Sequence, residues 1–120
     1  MTDAATPPLL WKPSERFLAG TNHARYLRWL ADERGLRFAL DDYDALWRWS
    51  VGDVDAFWRS IWDFFDVQAD GAAEQALADA SMPGAVWFPG TRLNHAEHVF
   101  RGKAPDALAI IADGELGGRR

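Results

Sequence analysis

The chain has 120 residues and no cysteine, and its 13 basic and 18 acidic residues leave a formal net charge of −5. A chain of this length forms one domain, and the absence of cysteine excludes disulfides and thiol chemistry. The negative charge, with basic residues spread along the chain, argues against nucleic acid as a partner. No run approaches the ~18 apolar residues of a membrane span, and the N-terminus lacks the pattern of a secretory signal. We therefore expect a cytoplasmic protein with no membrane partner.

Residues 1–13 are predicted to form an extended arm. Pro7, Pro8 and Pro13 remove the backbone donors that a helix or an inner strand would need. Ser14 then caps a short turn. The helical part of the chain is expected to begin there.

A helix is predicted over residues 22–34, after a capping position at Thr21-Asn22. Tyr26, Leu27 and Leu30 fall on one face of this helix. Gly35 is suited to the left-handed position that ends a helix, and Leu36 can then fold back against Leu30.

Three aspartates, Asp41, Asp42 and Asp44, predict the start of another short helix that runs through Trp49. Carboxylates favour the positive end of a helix dipole. An EF-hand would need a glycine and a late glutamate in register, and DDYDALWRWSVG supplies neither. The three aspartates are therefore interpreted as a helix cap rather than as a metal site.

The stretch LWRWSVGDVDAFWRSIWDFF holds four of the seven tryptophans and predicts the main helix. Ser50 and Asp53 resemble a capping box ahead of it. Its apolar residues recur at steps of three and four, and its polar residues occupy the other side. We interpret the aromatic side chains as core rather than as a stacking platform for a ligand, because the polar face is mostly acidic. The apolar set is Val51, Val54, Phe57, Trp58, Ile61, Trp62 and Phe65, and the polar set is Asp53, Asp55, Arg59, Ser60, Asp63 and Asp66.

Trp47 and Trp49 are two positions apart and cannot share a helix face. One of them should therefore reach a second surface.

Residues 68–81 are rich in alanine, and their pattern leaves two alternatives open. The segment is either a weakly amphipathic helix, with Ala73, Leu77 and Ala80 inward, or a mobile connection. Beyond it, Pro-Gly steps at 83–84 and 89–90 predict a turn on each side of an apolar patch at 86–88.

Two elements are predicted near the C-terminus. Asn94 starts a short helix that runs through Phe100, and the run ALAIIADG after Pro105 is suited to a strand buried on both faces. No partner strand follows it, and an unpaired strand edge invites pairing with another chain. The prediction is a mainly α fold with one C-terminal strand or hairpin, and the sequence looks cut off inside a larger fold.

No motif in the sequence identifies a catalytic or binding site. His95 and His98 flank Glu97, but a zinc site needs three or four ligands, and the nearby sequence offers no third. Gly102-Lys103 lacks the flanking residues of a phosphate-binding loop, and no serine lies in a nucleophile-elbow motif. We therefore assign no catalytic, cofactor-binding or metal-binding residue.

Five blocks taken in order resemble the N-terminal region of acetoacetyl-CoA synthetases, AMP-forming acyl-CoA ligases related to acetyl-CoA synthetase. The blocks are LWKPSERF, NHARYLRWL, YDALWRWSVGDVDAFWRSIWDFF, MPGAVWFPGTRLNHAEH and ALAIIADGE. The resemblance covers nearly the whole chain. It implies a full-length acid–thiol ligase that joins acetoacetate to CoA through an acyl-adenylate, with ATP and Mg²⁺, and that releases AMP and diphosphate.

The resemblance also implies a division of the chain. Residues 14–104 would form a helical N-terminal domain, and residues 105–120 would begin a truncated adenylation domain whose sheet starts at ALAIIADG. The superfamily's phosphate loop and catalytic lysine have no counterpart here, because the two lysines, Lys12 and Lys103, lie outside such motifs. The chain is thus expected to be non-catalytic, to bind no cofactor itself, and to have the adenylation domain as its partner in cis.

Trp87 and Phe88 are the residues predicted to contact that absent domain. An alternative function is a stand-alone helical protein-interaction module. A homodimer through exposed aromatic side chains or an open strand edge is a further partner that this reasoning predicts.

Overall fold

A computed structural model describes residues 8–112 together with residues 114 and 115. The fold is mainly α, as predicted, with a small two-stranded antiparallel sheet between the fourth and fifth helices. In chain order the elements are α1 (Glu15–Ala19), α2 (Asn22–Arg34), α3 (Tyr43–Gly52), α4 (Val54–Phe64), β1 (Leu77–Asp79), β2 (Val86–Trp87) and α5 (His95–Phe100).

The first two helices begin and end where the sequence predicts. The Ser14 hydroxyl caps α1, and the Thr21 hydroxyl caps α2 by accepting a hydrogen bond from the Ala24 N–H at 3.2 Å. Gly35 ends α2 with a φ of 68°. The Leu36 N–H then donates to the Leu30 carbonyl at 3.1 Å, which returns the Leu36 side chain to the core.

The boundary between α3 and α4 lies at Asp53, so the capping box predicted at Ser50 is wrong. Asp42 caps α3 as expected, but α3 continues through Ser50, whose hydroxyl donates to the Trp47 carbonyl at 2.8 Å. Asp53 leaves the helical region of backbone space, with φ −132° and ψ 75°, and its carboxylate accepts from the Ala56 N–H. The aspartate is therefore the N-cap of α4.

The core lies where α2, α3 and α4 meet. Its buried members are Tyr26, Leu27, Leu30 and Leu46, and Leu30 is fully enclosed. Partly buried apolar side chains surround them: Trp29, Leu36, Phe38, Leu40, Trp49, Phe57, Ile61 and Phe64. Trp49 thus joins the core, while Trp47 is 51% exposed, which confirms that these two tryptophans face different surfaces.

A hydroxyl pair lies within this core. Ser60 was assigned to the polar side of the main helix, but it is 1% exposed. Its Oγ donates to the Phe57 carbonyl at 2.6 Å and lies 2.5 Å from the Tyr26 hydroxyl. Because Ser60 has one proton, the Tyr26 O–H is the donor of the shared hydrogen bond.

The apolar side of the main helix was predicted too broadly. Trp58 is 41% exposed and Phe65 is 50% exposed, so neither is a core residue. The break at Asp53 ends the pattern that began at Val51, which belongs to α3 and is 54% exposed. Helix α4 therefore has two apolar flanks, one facing α2 and one facing the sheet.

The segment 68–81 forms neither of the predicted alternatives in full, since its last part is a strand. Strand β1 pairs antiparallel with β2, and an isolated bridge joins Asp70 to Arg92. Gly71 has a φ of 83°, which a helix does not accommodate. The predicted turn at residues 83–84 lies between β1 and β2, and the one at 89–90 follows β2.

Of the two elements predicted near the C-terminus, the helix is formed and, within the described residues, the strand is not. Helix α5 is confirmed, with the Asn94 side chain accepting from the Glu97 N–H at 3.2 Å. The strand predicted at ALAIIADG is not formed over residues 107–112, where Leu108 is 75% and Ile110 79% exposed. A strand needs a neighbouring edge for its backbone groups, and the part of the chain described here gives this segment none.

The molecule exposes far more surface than a compact monomer of its size. Its accessible surface is 10267 Å², against about 6,500 Å² expected for its 13.5 kDa mass. Its Cα radius of gyration is 19.9 Å, against about 14 Å for a compact chain of this length. Within the described residues, none of the helices has the length and apolar character that crossing a bilayer requires.

Candidate functional site

The two histidines considered as metal ligands lie on α5 without a third ligand. His95 is exposed, and His98 is partly buried with its Nδ1 atom enclosed and unpaired. Over residues 8–112 the side chains bring together no group of three or more histidine, aspartate or glutamate residues that could hold a metal ion. Asp42 serves as a helix cap, and Asp41 and Asp44 are exposed.

A polar cavity of about 450 Å³ lies beside α5, between the chain segments joined by the Asp70–Arg92 bridge. Two carboxylates, an arginine and His98 contribute to its wall, but no serine, cysteine or lysine does. The cavity therefore offers no hydroxyl, thiol or lysine amine as a nucleophile. Its lining residues are Gln68, Ala69, Asp70, Arg92, Leu93, Asn94, Glu97 and His98.

The two lysines lie outside the helices and strands. Lys12 and Lys103 are both exposed. The Lys103 N–H donates to the Phe100 carbonyl at 3.2 Å, in a turn that places Gly102 at a φ of 67°. A phosphate loop instead gathers several backbone N–H groups at the start of a helix.

Polar side chains of α4 hold the two-stranded sheet against the helix. The Asp55 carboxylate accepts hydrogen bonds from the N–H groups of Ala76 and Leu77 at 2.5 and 2.9 Å. Arg59, one turn later, donates to the Ala73 carbonyl at 2.6 Å. The sequence places these residues on the polar side of the main helix, and the structure shows that this side binds the backbone leading into β1.

Next to these polar contacts, aromatic side chains of α4 and the sheet form an aromatic seam, defined as Trp58, Trp62, Trp87 and Phe88. Trp58 meets Trp87 edge to face at 5.6 Å between centroids, and Trp62 stacks on Phe88 at 4.3 Å. The Arg59 guanidinium lies 5.4 Å from the centre of the Phe88 ring. No local pattern predicts these pairings, because they join residues 26 and 29 positions apart.

The outer part of the aromatic seam is open to solvent. Trp87 is 44% exposed, as predicted, and Val86 beside it is 42% exposed. Phe88 is partly buried, because it lies on Trp62. Of the two residues predicted to contact an absent domain, Trp87 is thus the one that the chain leaves available.

Among the residues that the structure describes, two side chains have clearly shifted pKa values, and neither lies in a reactive arrangement. Burial raises the pKa of Tyr26, and the Ser60 hydroxyl, which can turn to donate to the deprotonated Tyr26 oxygen, opposes that rise. The Ser81 hydroxyl and then the Ser81 N–H donate to the Asp79 carboxylate, at 2.6 and 2.8 Å, and hold the pKa of Asp79 below its usual value. The first is a core contact and the second is a turn after β1.

The fold belongs to a known class. Residues 43–99, which comprise α3, α4, the sheet and part of α5, match the family model described as the acetyl-coenzyme A synthetase N-terminus. The chain is therefore an N-terminal region of the acetyl-CoA synthetase type.

Within that class, the chain is similar to acetoacetyl-CoA synthetases. It is 36% identical over 107 residues to the acetoacetyl-coenzyme A synthetase of Rhizobium meliloti (strain 1021), which covers 88% of this chain. It is 33% identical over 106 residues to the acetoacetyl-CoA synthetase of Macaca fascicularis, which covers 85% of this chain. A solved structure of acetoacetyl-CoA synthetase from Streptomyces lividans matches 79% of the chain at 40% identity, with a TM-score of 0.72.

The chain spans only a small part of these proteins. It covers 16% of the Rhizobium protein, 15% of the Macaca protein and 15% of the Streptomyces chain. The similarity thus concerns their N-terminal region.

Proposed function

We propose that this chain is the N-terminal structural region of an ATP-dependent acetoacetate–CoA ligase and that it is not catalytic by itself. The ligase would convert acetoacetate, ATP and CoA into acetoacetyl-CoA, AMP and diphosphate in the cytoplasm. ATP, Mg²⁺ and CoA would bind to the adenylation domain and its C-terminal extension, outside this chain. The names of the relatives support the reaction, and the absence of a phosphate-loop motif around Lys12 and Lys103 supports the non-catalytic role.

The observation that carries the proposal is the exposed surface in excess of that of a compact monomer, which includes exposed aromatic and aliphatic side chains. A standard protein interface buries about 800 Å² on each partner, and the surface beyond that of a compact monomer is several times larger. Exposed aromatic and aliphatic side chains lie at the aromatic seam and along residues 107–112. Exposed aromatic and aliphatic side chains of this kind are typical of an interaction site. The remainder of the ligase, joined in cis, is the partner that we propose for it.

The same surface suggests how the chain divides. Residues 14–104 would form the helical domain, preceded by an arm at 1–13. Residues 105–120 would be the first part of the adenylation domain, with ALAIIADG entering its sheet. The exposure of Leu108, Ile110 and Ile111 supports this division, because a buried strand would be expected to show those side chains uncovered when its sheet is absent.

The test uses the protein of the complete reading frame that contains this chain, and a version that lacks residues 1–104. We expect acetoacetate-dependent AMP formation in the first and a loss of stability and activity in the second. Trp87→Ser in the first protein should lower its thermal stability, because it removes an apolar anchor from the proposed interface. The matched control is Trp47→Ser, another exposed tryptophan that lies away from the aromatic seam. Equal and unaltered melting temperatures for both variants would contradict the proposed docking surface.

The exposed aromatic side chains also favour a second candidate, a stand-alone module that forms a homodimer or recruits a protein. The two are separated by the molecular mass of the 120-residue chain in solution, measured by light scattering at several concentrations. A stable dimer that Trp87→Ser dissociates would favour the module. A monomer would favour docking in cis.

A further inference from the structure

The guanidinium of Arg101 joins the last described part of the chain to the end of α4. Its Nη1 donates to the Asp66 carbonyl at 2.7 Å and to the Asp66 carboxylate at 2.8 Å. Its Nη2 donates to the Phe65 carbonyl at 3.3 Å. The Arg101 side chain is 32% exposed, so most of it is enclosed by these contacts. The Arg101 clamp is the Arg101 guanidinium together with the Phe65 carbonyl, the Asp66 carbonyl and the Asp66 carboxylate.

The end of α4 is a helix-terminating motif that leaves acceptors for Arg101. The Val67 N–H donates to the Trp62 carbonyl at 3.0 Å, and the Asp66 N–H donates to the Asp63 carbonyl at 3.1 Å. These two hydrogen bonds define a Schellman motif, in which the residue after the cap adopts a left-handed conformation. The carbonyls of Phe65 and Asp66 have no helical donor, and the negative end of the helix dipole lies there. A cation with several donors is suited to this position.

An aspartate occupies the left-handed position that glycine usually takes. Asp66 has a φ of 47°, which costs less for aspartate than for most residues with a Cβ. Its carboxylate is used, because it accepts the second hydrogen bond of Nη1. The carboxylate is 85% exposed, so salt screens this ion pair, whereas the two carbonyl contacts depend little on salt.

The Arg101 clamp is also the connection between the outgoing chain and the helices. Among the residues that the structure describes, the hydrogen bonds that join 100–112 to the helical core are those of Arg101, and the remaining ones in this segment are local. Residues 102–112 contain turns and irregular backbone, with Gly102 at a positive φ. The exposed apolar residues at 107–112 begin six positions after the clamp.

We propose that Arg101 is a positioning residue that fixes where the chain leaves the helical domain, and so directs residues 107–112 toward the rest of the ligase. This inference rests on the proposed function, because a fixed position of residues 107–112 matters only if a further domain follows them. The clamp itself acts within this chain.

The first test measures the position of the outgoing segment in the 120-residue chain. The chain has no cysteine, so nitroxide labels can be placed at Arg48→Cys on α3 and Ala107→Cys, both at exposed positions. Double electron–electron resonance should give a narrow distribution of distances between the two labels. Arg101→Ala should widen it at least about twofold, because a segment held only by local contacts opens freely. Lys103→Ala is the control, because it removes a cation two residues further along the chain. It should leave the distance distribution narrow.

Two further variants separate the roles of charge and geometry. Asp66→Asn removes the charge and keeps an acceptor, so it should widen the distribution less than Arg101→Ala does. Arg101→Lys keeps the charge and loses the planar fork, and it should give an intermediate width. Hydrogen exchange in α2 should be unaltered in every variant, which shows that the helices remain folded. A distribution that is broad without any substitution at the clamp, or one that Arg101→Ala leaves narrow, would overturn the proposal.

The second test measures the consequence in the protein of the complete reading frame. Arg101→Ala should lower acetoacetate-dependent AMP formation by roughly tenfold through misplacement of the following domain, and Arg101→Lys should recover part of it. Full activity in Arg101→Ala would overturn the positioning role. If that longer protein makes no AMP at all, the proposed function fails, while the label distances still decide whether the clamp exists.

Discussion

Ser60 and Tyr26 are the residues where a buried polar contact decides the cost of a substitution. Ser60→Ala leaves the Tyr26 hydroxyl enclosed without its partner, and we expect a loss of about 1–3 kcal/mol in the free energy of unfolding. Tyr26→Phe removes one hydrogen bond but leaves Ser60 donating to the Phe57 carbonyl, so it should cost only about 0.5–1.5 kcal/mol. Urea denaturation of both variants measures the difference. A larger loss in Tyr26→Phe would contradict this assignment of donors.

The raised pKa of Tyr26 predicts how stability depends on alkaline pH. A tyrosine whose pKa is higher in the folded state than in the unfolded state holds its proton more tightly when folded. Its contribution is complete below the unfolded pKa near 10, and it is lost as the pH rises through the folded pKa. The urea midpoint should therefore fall above about pH 10. Tyr26→Phe should show a smaller fall, with Tyr43→Phe as the exposed control.

Leu30 and Trp58 test which side chains form the core. Leu30 is fully buried, and Leu30→Ala should cost about 2–5 kcal/mol. Had Trp58 been buried, as its spacing predicted, Trp58→Ala would cost about 3–5 kcal/mol. Because Trp58 is 41% exposed, we expect Trp58→Ala to lower the free energy of unfolding by only about 1–2 kcal/mol, from the part of the ring that is covered. Thermal or urea unfolding measures both, and a Trp58→Ala loss as large as that of Leu30→Ala would place Trp58 in the core.

At the scale of elements, the two-stranded sheet depends on a close approach between Gly71 and Gly90. A Cβ on Gly71 would overlap the Gly90 carbonyl oxygen, which is backbone and cannot turn away. Gly35 also has a positive φ, but nothing lies within 4 Å of the position of its missing Cβ. Gly35→Ala should thus cost about 1–2 kcal/mol for its backbone conformation alone. Gly71→Ala should cost at least about 1 kcal/mol more, because of the overlap.

Hydrogen exchange locates the effect of Gly71→Ala. Exchange should accelerate at Asp70, Arg92 and the strands, and remain slow in α2. Equal losses of stability in the two glycine variants would contradict the close approach.

The sequence predicted helices better than it predicted the sheet, for a physical reason. The bounds of α2 and α5 follow from caps within a few residues, at Thr21, Gly35 and Asn94. The sheet depends on contacts across the chain, namely Asp55 with residues 76 and 77 and the aromatic seam. Local pattern carries no information about such contacts, so an alanine-rich segment suggested a helix.

The functional residues were predictable only to the same extent, because contacts between residues distant in sequence leave no local pattern. Trp87 was selected because an apolar patch lay between two turns, and it is exposed. Arg101 was not selected, since a single arginine after a short helix has no local signal. Its role depends on Asp66, 35 residues earlier.

At the scale of the whole molecule, a small core and a large surface belong together. The buried apolar residues are few, while α4 covers the core with one flank and carries the aromatic seam on the other. A compact domain of this length would cover more of its aromatic side chains. The chain spans about 15% of its solved relative, which is consistent with a region completed by contacts to a larger body.

The most direct test of that account is acetoacetate-dependent AMP formation from ATP and CoA, measured in parallel for the 120-residue chain and for the protein of the complete reading frame. Acetate in place of acetoacetate is the control for acyl specificity. We predict activity in the longer protein, with acetoacetate preferred, and none in the 120-residue chain. Activity in the 120-residue chain, or no activity in a folded longer protein, would contradict the account.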